Sequence, residues 1–322
     1  MSLSEFSLIE RYFTALEQPA SPYVDFAIGD DCCLLSIPDD MQLAQSIDTL
    51  NANVHFPAEA NADLIAQRAL AVSISDLAAM GASPVAFSLA ISMPQVSEPW
   101  LADFSRGLQQ AAQHYAIALI GGDTTKGPLS LTVHVQGVVA KGKALQRHGA
   151  ALGDCVFVTG SLGDAAAALA FMQGQLSVAK SAQQFFKQRY YQPSARIAVG
   201  QSLNDIATAA IDVSDGLVAD LGHIAKRSGV AAVVNVDKLP LSAELQAASS
   251  PEQARRYALS GGDDYELCFT APASMREQLL ELSELIDVAI TEVGTIVAGS
   301  GVRCVDGRGS ELQLSQTGYQ HF

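Results

Sequence analysis

Residues 210–221, AIDVSDGLVADL, set Asp212, Asp215 and Asp220 in a run that is otherwise largely apolar. A carboxylate taken out of water is unfavourable unless it is hydrogen-bonded, paired with a cation or bound to a metal. Any fold that takes up this segment must therefore supply partners for its acids. Local structure accounts for part of the pattern. An apolar strand ends, Ser214 caps a helix, Asp215 falls in the first turn where the helix dipole favours an acid, and Asp220 is expected to face outward. Local structure explains Asp212 less well.

Asp76 poses the same problem more sharply. It lies in ALAVSISDLAAMGA, within a predicted helix whose neighbours are mostly Ala, Val, Ile, Leu and Met. No cation falls within one helical turn of it, and Arg68 is two turns back. The chain also repeats a Gly-Asp device in Gly29-Asp30-Asp31, Gly121-Gly122-Asp123 and Gly261-Gly262-Asp263-Asp264. Each reads locally as a tight turn, where glycine permits close approach and aspartate offers a hard oxygen on a short stem. Asp48 follows the apolar stretch LAQSI. Two carboxylates about 4 Å apart repel by roughly 4 kcal/mol at an effective dielectric of about 20. A set of converging acids therefore calls for divalent cations, and magnesium suits carboxylates combined with phosphate oxygens and water.

Charge points the same way. The net charge of −15 argues against nucleic acid or any other partner held by a basic surface. It is compatible with phosphate ligands only if metal ions intervene. Of 322 residues, 49% are hydrophobic and 16% charged, which is material for one large or two medium domains. No apolar run reaches the length of a membrane span, and MSLSEFSLIERYF lacks the plan of a signal peptide, so no membrane association and a cytoplasmic location are expected. The five cysteines show no CxxC spacing and indicate neither a disulfide framework nor a zinc site; Cys32, Cys155 and Cys268 are expected in strands as small core residues.

The pattern of apolar spacing predicts helices over residues 2–16, 60–80, 98–115 and 194–207, and one beginning at GDAAAALAFMQ. Strands are expected at CCLLSI, LAQSIDTL, PVAFSLAISM and CVFVTG, and at AIALIGGDTT and LSLTVHVQGVV on either side of a Gly-Asp turn. Residues 141–153 are the candidate boundary, which gives domains 1–148 and 149–322, each α+β. No GxxxxGK[ST] loop, kinase HRD/DFG set or nucleophile triad is present. TGSLGDAAAALA looks like a glycine-rich phosphate loop but reads better as a structural strand–helix turn.

Taken together, EFSLIERYF, IGDDCCLL, SIDTLNANVHF, ALAVSISDLAAMGASP, LIGGDTTKGPLSLTVHVQG, AIDVSDGLVADLGHI, ALSGGDDYELCFT and the closing GYQHF resemble the thiamine-monophosphate kinase family. That family lies in the superfamily of aminoimidazole ribonucleotide synthetase and selenophosphate synthetase. The resemblance runs end to end. It implies a two-domain α+β subunit of the aminoimidazole ribonucleotide synthetase-like type, with N-terminal sheets joining into a barrel in a homodimer. ATP and several Mg²⁺ ions would serve transfer of a phosphoryl group to thiamine monophosphate. By the same resemblance Asp31, Ser46, Asp48, Asp76, Asp123, Asp212 and Asp215 correspond to metal ligands, with Asp31, Asp48, Asp76, Asp123 and Asp212 at the centre of catalysis. Gly122, Asp123, Arg147 and Ser214 correspond to ATP contacts, and His55, Asp263 and Tyr319 to thiamine-phosphate contacts; Asp30 is adjacent to these.

The chain departs from the family pattern twice: Ile47 replaces a usual Thr, and Asp263 a usual Glu. Judged locally, His55 reads equally as a packed strand residue, Tyr319 as a pin for the tail and Arg147 as one basic residue in a linker. Two other readings remain at this stage. One is a sister ATP-dependent enzyme of the superfamily, such as an aminoimidazole ribonucleotide synthetase; the other is a non-enzymatic acidic metal-binding protein.

Overall fold

The computed structural model describes residues 4–314 and 316–319. The chain divides into two units, one formed by the chain up to Leu77 with Ala82–Gly142, the other by Ala78–Gly81 with the chain from Lys143 onward.

In the first unit helix α1 (Glu5–Ile9) starts where the Ser4 hydroxyl accepts the Ser7 N–H, and it runs on into a π-helical turn, Glu10–Thr14. The residue at which the sequence starts this helix, Ser2, lies outside the described residues. Strands β1 (Val24–Phe26) and β2 (Leu34–Leu35) make a small antiparallel pair. CCLLSI thus contributes only two strand residues, and Cys32 is exposed rather than a core residue. Its neighbours are the charged bend at Asp30 and Asp31, which keeps the segment at the surface. Then come β3 (Met41–Asn51), α2 (Ala62–Ala79), β4 (Ser83–Met93), α3 (Glu98–His114), β5 (Ala118–Lys126) and β6 (Ser130–Ala140).

These four strands form a sheet in the order β3-β6-β4-β5. The β4–β5 pair is parallel, joined through α3, and the other pairs are antiparallel. Helix α2 buries Ile65, Leu70, Ile74 and Leu77 completely or nearly so. The stripe Leu101, Phe104, Leu108 and Ala111 does the same for α3, the i, i+3, i+7 spacing of an amphipathic helix. The two helices meet closely at Gly107, where a Cβ would stand 2.2 Å from the Asp63 carbonyl oxygen.

The expected turn at Gly121-Gly122-Asp123 is instead part of β5, which contains a register shift opposite Phe87 and Ser88. Packing is the reason: a Cβ at Gly122 would lie 1.9 Å from the Leu89 carbonyl oxygen of the paired strand. Glycine here serves strand contact; the chain reverses later, between β5 and β6.

The second unit contains β7 (Cys155–Thr159), α4 (Asp164–Met172), α5 (Gln183–Tyr191), α6 (Ile197–Ser202), β8 (Ala209–Asp212), α7 (Leu217–Ser228) and β9 (Ala231–Asn235). It continues with α8 (Ala243–Ala248), α9 (Pro251–Ser260), β10 (Leu267–Ala271), α10 (Arg276–Leu285), β11 (Ile290–Val297) and β12 (Gly301–Val305). The sheet order is β12-β9-β11-β7-β10-β8, antiparallel except for the β12–β9 pair. β7, β8 and β10 are buried throughout. Period-2 alternation sends Val156, Val158, Ile211 and Cys268 into one core, with α7, and Cys155, Phe157, Ala210 and Phe269 into another. Phe157 and Phe269 stack at 5.4 Å. Burial of a side chain of that size is worth about 2–3 kcal/mol. The helix expected over 194–207 shortens to α6, because its continuation turns at Leu203 and Ile206 into the same core.

Candidate functional site

In the first unit the predicted residues fall into two groups. Alternation along β3 puts Ser46 and Asp48 on one face and Ile47 on the other, where Ile47 is 64% exposed. A hydroxyl side chain in place of Ile47 would therefore not have pointed with Ser46 and Asp48. The Ser46 hydroxyl donates to Asp76 Oδ2 on α2. Asp76 is half-buried rather than fully enclosed. Burial, reinforced by the Asp76 charge, pushes Asp48 up to about 6, with the Ser73 hydroxyl acting the other way. The second group lines a cavity of about 350 Å³ that holds Asp30, Asp31, Gly122 and Asp123 against Ile9 and Phe13. Asp30 accepts the Asp31 N–H at 2.9 Å, so its carboxylate is engaged in the bend.

His55 stands in a tight loop after β3. Its Nδ1 accepts the Asn51 N–H at 2.9 Å, and its carbonyl accepts from Nε of Arg68 at 3.0 Å. The cation found two turns before Asp76 in the sequence is thus used to hold the His55 loop.

In the second unit the sequence expectations are partly redrawn. Helix α7 begins at Leu217 with Gly216, not Ser214, at its N-cap. Asp220 does not face outward. It is buried, and its Oδ2 accepts the N–H groups of Ser214, Asp215 and Gly216 at 3.0–3.1 Å. The physical reason is that Gly216 is followed immediately by the helix, so the preceding amides lack helical acceptors and converge on one carboxylate. Burial and the nearby Asp215 push Asp220 up to about 7 against the pull of those three donors. Asp212 ends β8 and is buried.

Other segments join this loop. The N–H of Asp263 donates to the Ser214 carbonyl and that of Tyr265 to the Val213 carbonyl, both at 2.8 Å. The N–H of Tyr319 donates to the Asp215 carbonyl at 3.0 Å. Asp212, Ser214, Asp215, Asp263 and Tyr319 therefore belong to one neighbourhood. Arg147 is exposed and runs beside the first half of β8, where the Gln146 carbonyl accepts the Ala210 N–H. Of the GYQHF motif, Gln320, His321 and Phe322 lie outside the described residues.

Asp263 has φ +74° and Tyr265 φ +52°. A left-handed backbone is tolerated better by Asp than by Glu, which gives a reason for the shorter acid here. The residues between and after them are fixed from below. Asp264, fully buried, accepts the N–H groups of Gly163 and Ala165 at the start of α4, at 2.6 and 3.3 Å. TGSLGDAAAALA is accordingly a structural turn whose amides already have an acceptor. Glu266, also fully buried, takes two bonds from Arg196 at 2.6 and 2.7 Å, one from Arg189 at 3.1 Å and one from Thr159 at 2.7 Å. Burial alone would raise its carboxyl, but Arg196 and then Arg189 hold it below the usual range. Sequence reasoning missed Asp220 as a partner to the loop and missed Glu266 altogether. The available signal was the YEL acid directly before an apolar strand.

The donor set is chemically suited to magnesium: hard carboxylate and hydroxyl oxygens, with Asp48 held in a state that an adjacent cation would relieve. Among the described residues no three His, Cys, Asp or Glu side chains form a ready-made cage for a metal. Such a site fits an ion completed by water and phosphate oxygens rather than one fully enclosed by protein.

Comparison with known proteins identifies the family. Residues 29–139 match the AIR synthase related protein, N-terminal domain, and residues 151–307 its C-terminal domain. The chain is 47% identical to thiamine-monophosphate kinase of Escherichia coli strain K12, over 100% of this chain and 99% of the relative. Identity to the Haemophilus influenzae enzyme of that name is 42%, over 100% and 99%. Among solved structures, thiamine-monophosphate kinase from Stenotrophomonas maltophilia K279a superposes with a TM-score of 0.86 at 47% identity, covering 94% of this chain and 97% of that one. AaThiL, solved in complex with AMPPCP and TMP, gives 0.78 at 31% identity, covering 100% and 99%. With full-length identity at this level and both domain models matched in order, the chain belongs to the thiamine-monophosphate kinase family of AIR synthase related proteins.

Proposed function

We propose that the protein transfers the γ-phosphoryl group of ATP to thiamine monophosphate, giving ADP and thiamine diphosphate. The observation that carries this reading is the likeness to thiamine-monophosphate kinases along the whole chain. The acceptor is a phosphate monoester with a second pKa near 6, largely dianionic at neutral pH. It needs no general base, in keeping with a site built from acids and hydroxyls. The difficulty is to bring two polyanions together on a protein of net charge −15.

Asp31, Ser46, Asp48, Asp76 and Asp123 would hold magnesium in the first unit, and Asp212 and Asp215 would do so in the second. When bound, the metal supplies screening of the phosphates, alignment and neutralisation of the leaving ADP. The chain's own part is orientation. Ser46 fixes the Asp76 carboxylate, and Asp220 fixes the backbone that carries Ser214 and Asp215. Gly122, Asp123, Arg147 and Ser214 are assigned to ATP, and His55, Asp263 and Tyr319 to the thiamine phosphate. Transfer is direct, without a phosphoenzyme.

The active form is a cytoplasmic homodimer. Leu43 and Ile47, 42% and 64% exposed on the edge strand β3, support a sheet-mediated dimer. No helix among the described residues is long and apolar enough to cross a membrane.

Purified protein incubated with ATP, Mg²⁺ and thiamine monophosphate should yield thiamine diphosphate. ADP release that depends on a different substrate, with no thiamine diphosphate formed, would instead place the chain with a sister activity. Stabilisation by metal with no nucleotide effect would favour the non-enzymatic reading.

A further inference from the structure

Residues 263–266 divide strictly by position. Asp264 and Glu266 are wholly buried and tied to Gly163, Ala165, Thr159, Arg189 and Arg196. Asp263 and Tyr265, half-buried, both adopt positive φ, an arrangement that non-glycine residues hold only when the surroundings enforce it. The enforcement is visible on each side: the Asp263 and Tyr265 amides are bonded to Ser214 and Val213, and the alternate side chains are locked below. What this backbone achieves is to turn Tyr265 back onto its neighbour but one. The Tyr265 hydroxyl lies 3.2 Å from Asp263 Oδ1 and donates to it.

We propose that Tyr265 is a positioning residue that sets the Asp263 carboxylate for recognition of the thiamine phosphate. This rests on the reading of Asp263 as a substrate contact. An aspartate has two soft side-chain torsions. A hydroxyl bond to one of its oxygens favours one rotamer and so sets the direction in which the carboxylate is presented. Tyr265 acts through Asp263 and makes no contact of its own with the reacting phosphates.

The test is a double-mutant cycle with Tyr265→Phe and Asp263→Ala, measured by steady-state kinetics with thiamine monophosphate and ATP varied separately. Tyr265→Phe keeps the ring and removes only the hydroxyl, so the thermal midpoint should stay at the wild-type value. Its KM for thiamine monophosphate should rise by about five- to tenfold, from loss of one oriented hydrogen bond, while the KM for ATP stays constant. In the Asp263→Ala background the same substitution should have no effect. An equal loss in both backgrounds, or none in either, overturns the positioning role. If Asp263→Ala raises the KM for thiamine monophosphate but Tyr265→Phe does not, the role falls while the reading of Asp263 stands. If Asp263→Ala itself changes nothing, both fall.

Discussion

The hydroxyl of Ser46, on strand β3, donates to the Oδ2 of Asp76, on helix α2, thirty residues further along the chain. The bond orients a carboxylate that has Asp48 as its acidic neighbour. Asp76→Asn keeps the shape and removes the charge. It should lower thiamine diphosphate formation at fixed Mg²⁺ by at least roughly a hundredfold. Its thermal midpoint should equal or exceed that of wild type, since a repulsion is relieved. Ser46→Ala, which removes orientation alone, should lose about tenfold. Full activity in Asp76→Asn would remove the metal role assigned to it.

Asp220 gathers the three amides of the α7 entry loop onto one carboxylate oxygen. Asp220→Ala should destabilise the protein by about 3 kcal/mol, read as a lower urea midpoint at constant m-value. Asp220→Asn, which keeps one acceptor oxygen, should lose about half as much. An Ala variant as stable as wild type would mean that water satisfies those amides equally well.

Arg196 provides two of the bonds to Glu266, whose side chain is completely buried. Arg196→Met should cost about 3–5 kcal/mol, because it leaves a buried carboxylate with only part of its neutralisation. Combining it with Glu266→Gln should restore part of that loss. Additive losses in the double variant would show that the two side chains do not act as a pair.

Burial raises Asp264 to about 8, against the pull of Arg189 and of the α4 amides, from an ordinary value of 3.8. The folded state therefore retains a proton that the unfolded chain releases above about pH 4. By linkage, this group contributes stability that is fully present below pH 4 and is lost as pH rises towards 8. Asp264→Asn should remove that contribution. The fall in unfolding free energy between pH 6 and pH 8.5 should be smaller in the variant by on the order of 2 kcal/mol. Identical slopes for the two proteins would show that Asp264 is ionised in the fold throughout this range.

Much of the architecture was legible because it is written locally. The apolar spacing located α2 and α3 to within two residues, and the run PVAFSLAISM lies within β4. Asp48 and Asp76 stood out because a carboxylate among Ala, Ile and Leu demands a partner. Where reading failed, the deciding partner was remote or the glycine had a second use. The place of Glu266 before an apolar strand marks it as an acid in need of partners, but not which ones, because Arg189 and Arg196 precede it by about seventy to eighty residues. Gly122 read as a turn because sequence does not reveal that Leu89 passes against it. Asp220 was placed outward by helical spacing alone, whereas the amides that claim it belong to the loop before the helix.

The alternation along residues 263–266 also bears on how such a segment can change over generations. Replacements at the two inner positions are judged by whether the loop survives; those at the two outer positions must suit a positive φ and, on the reading of Asp263 proposed above, what the loop recognises. Because the buried bonds fall on 264 and 266, a change at 263 or 265 that tolerates a positive φ leaves that frame in place. A short acidic loop of this kind can thus alter its outer face while its frame stays fixed.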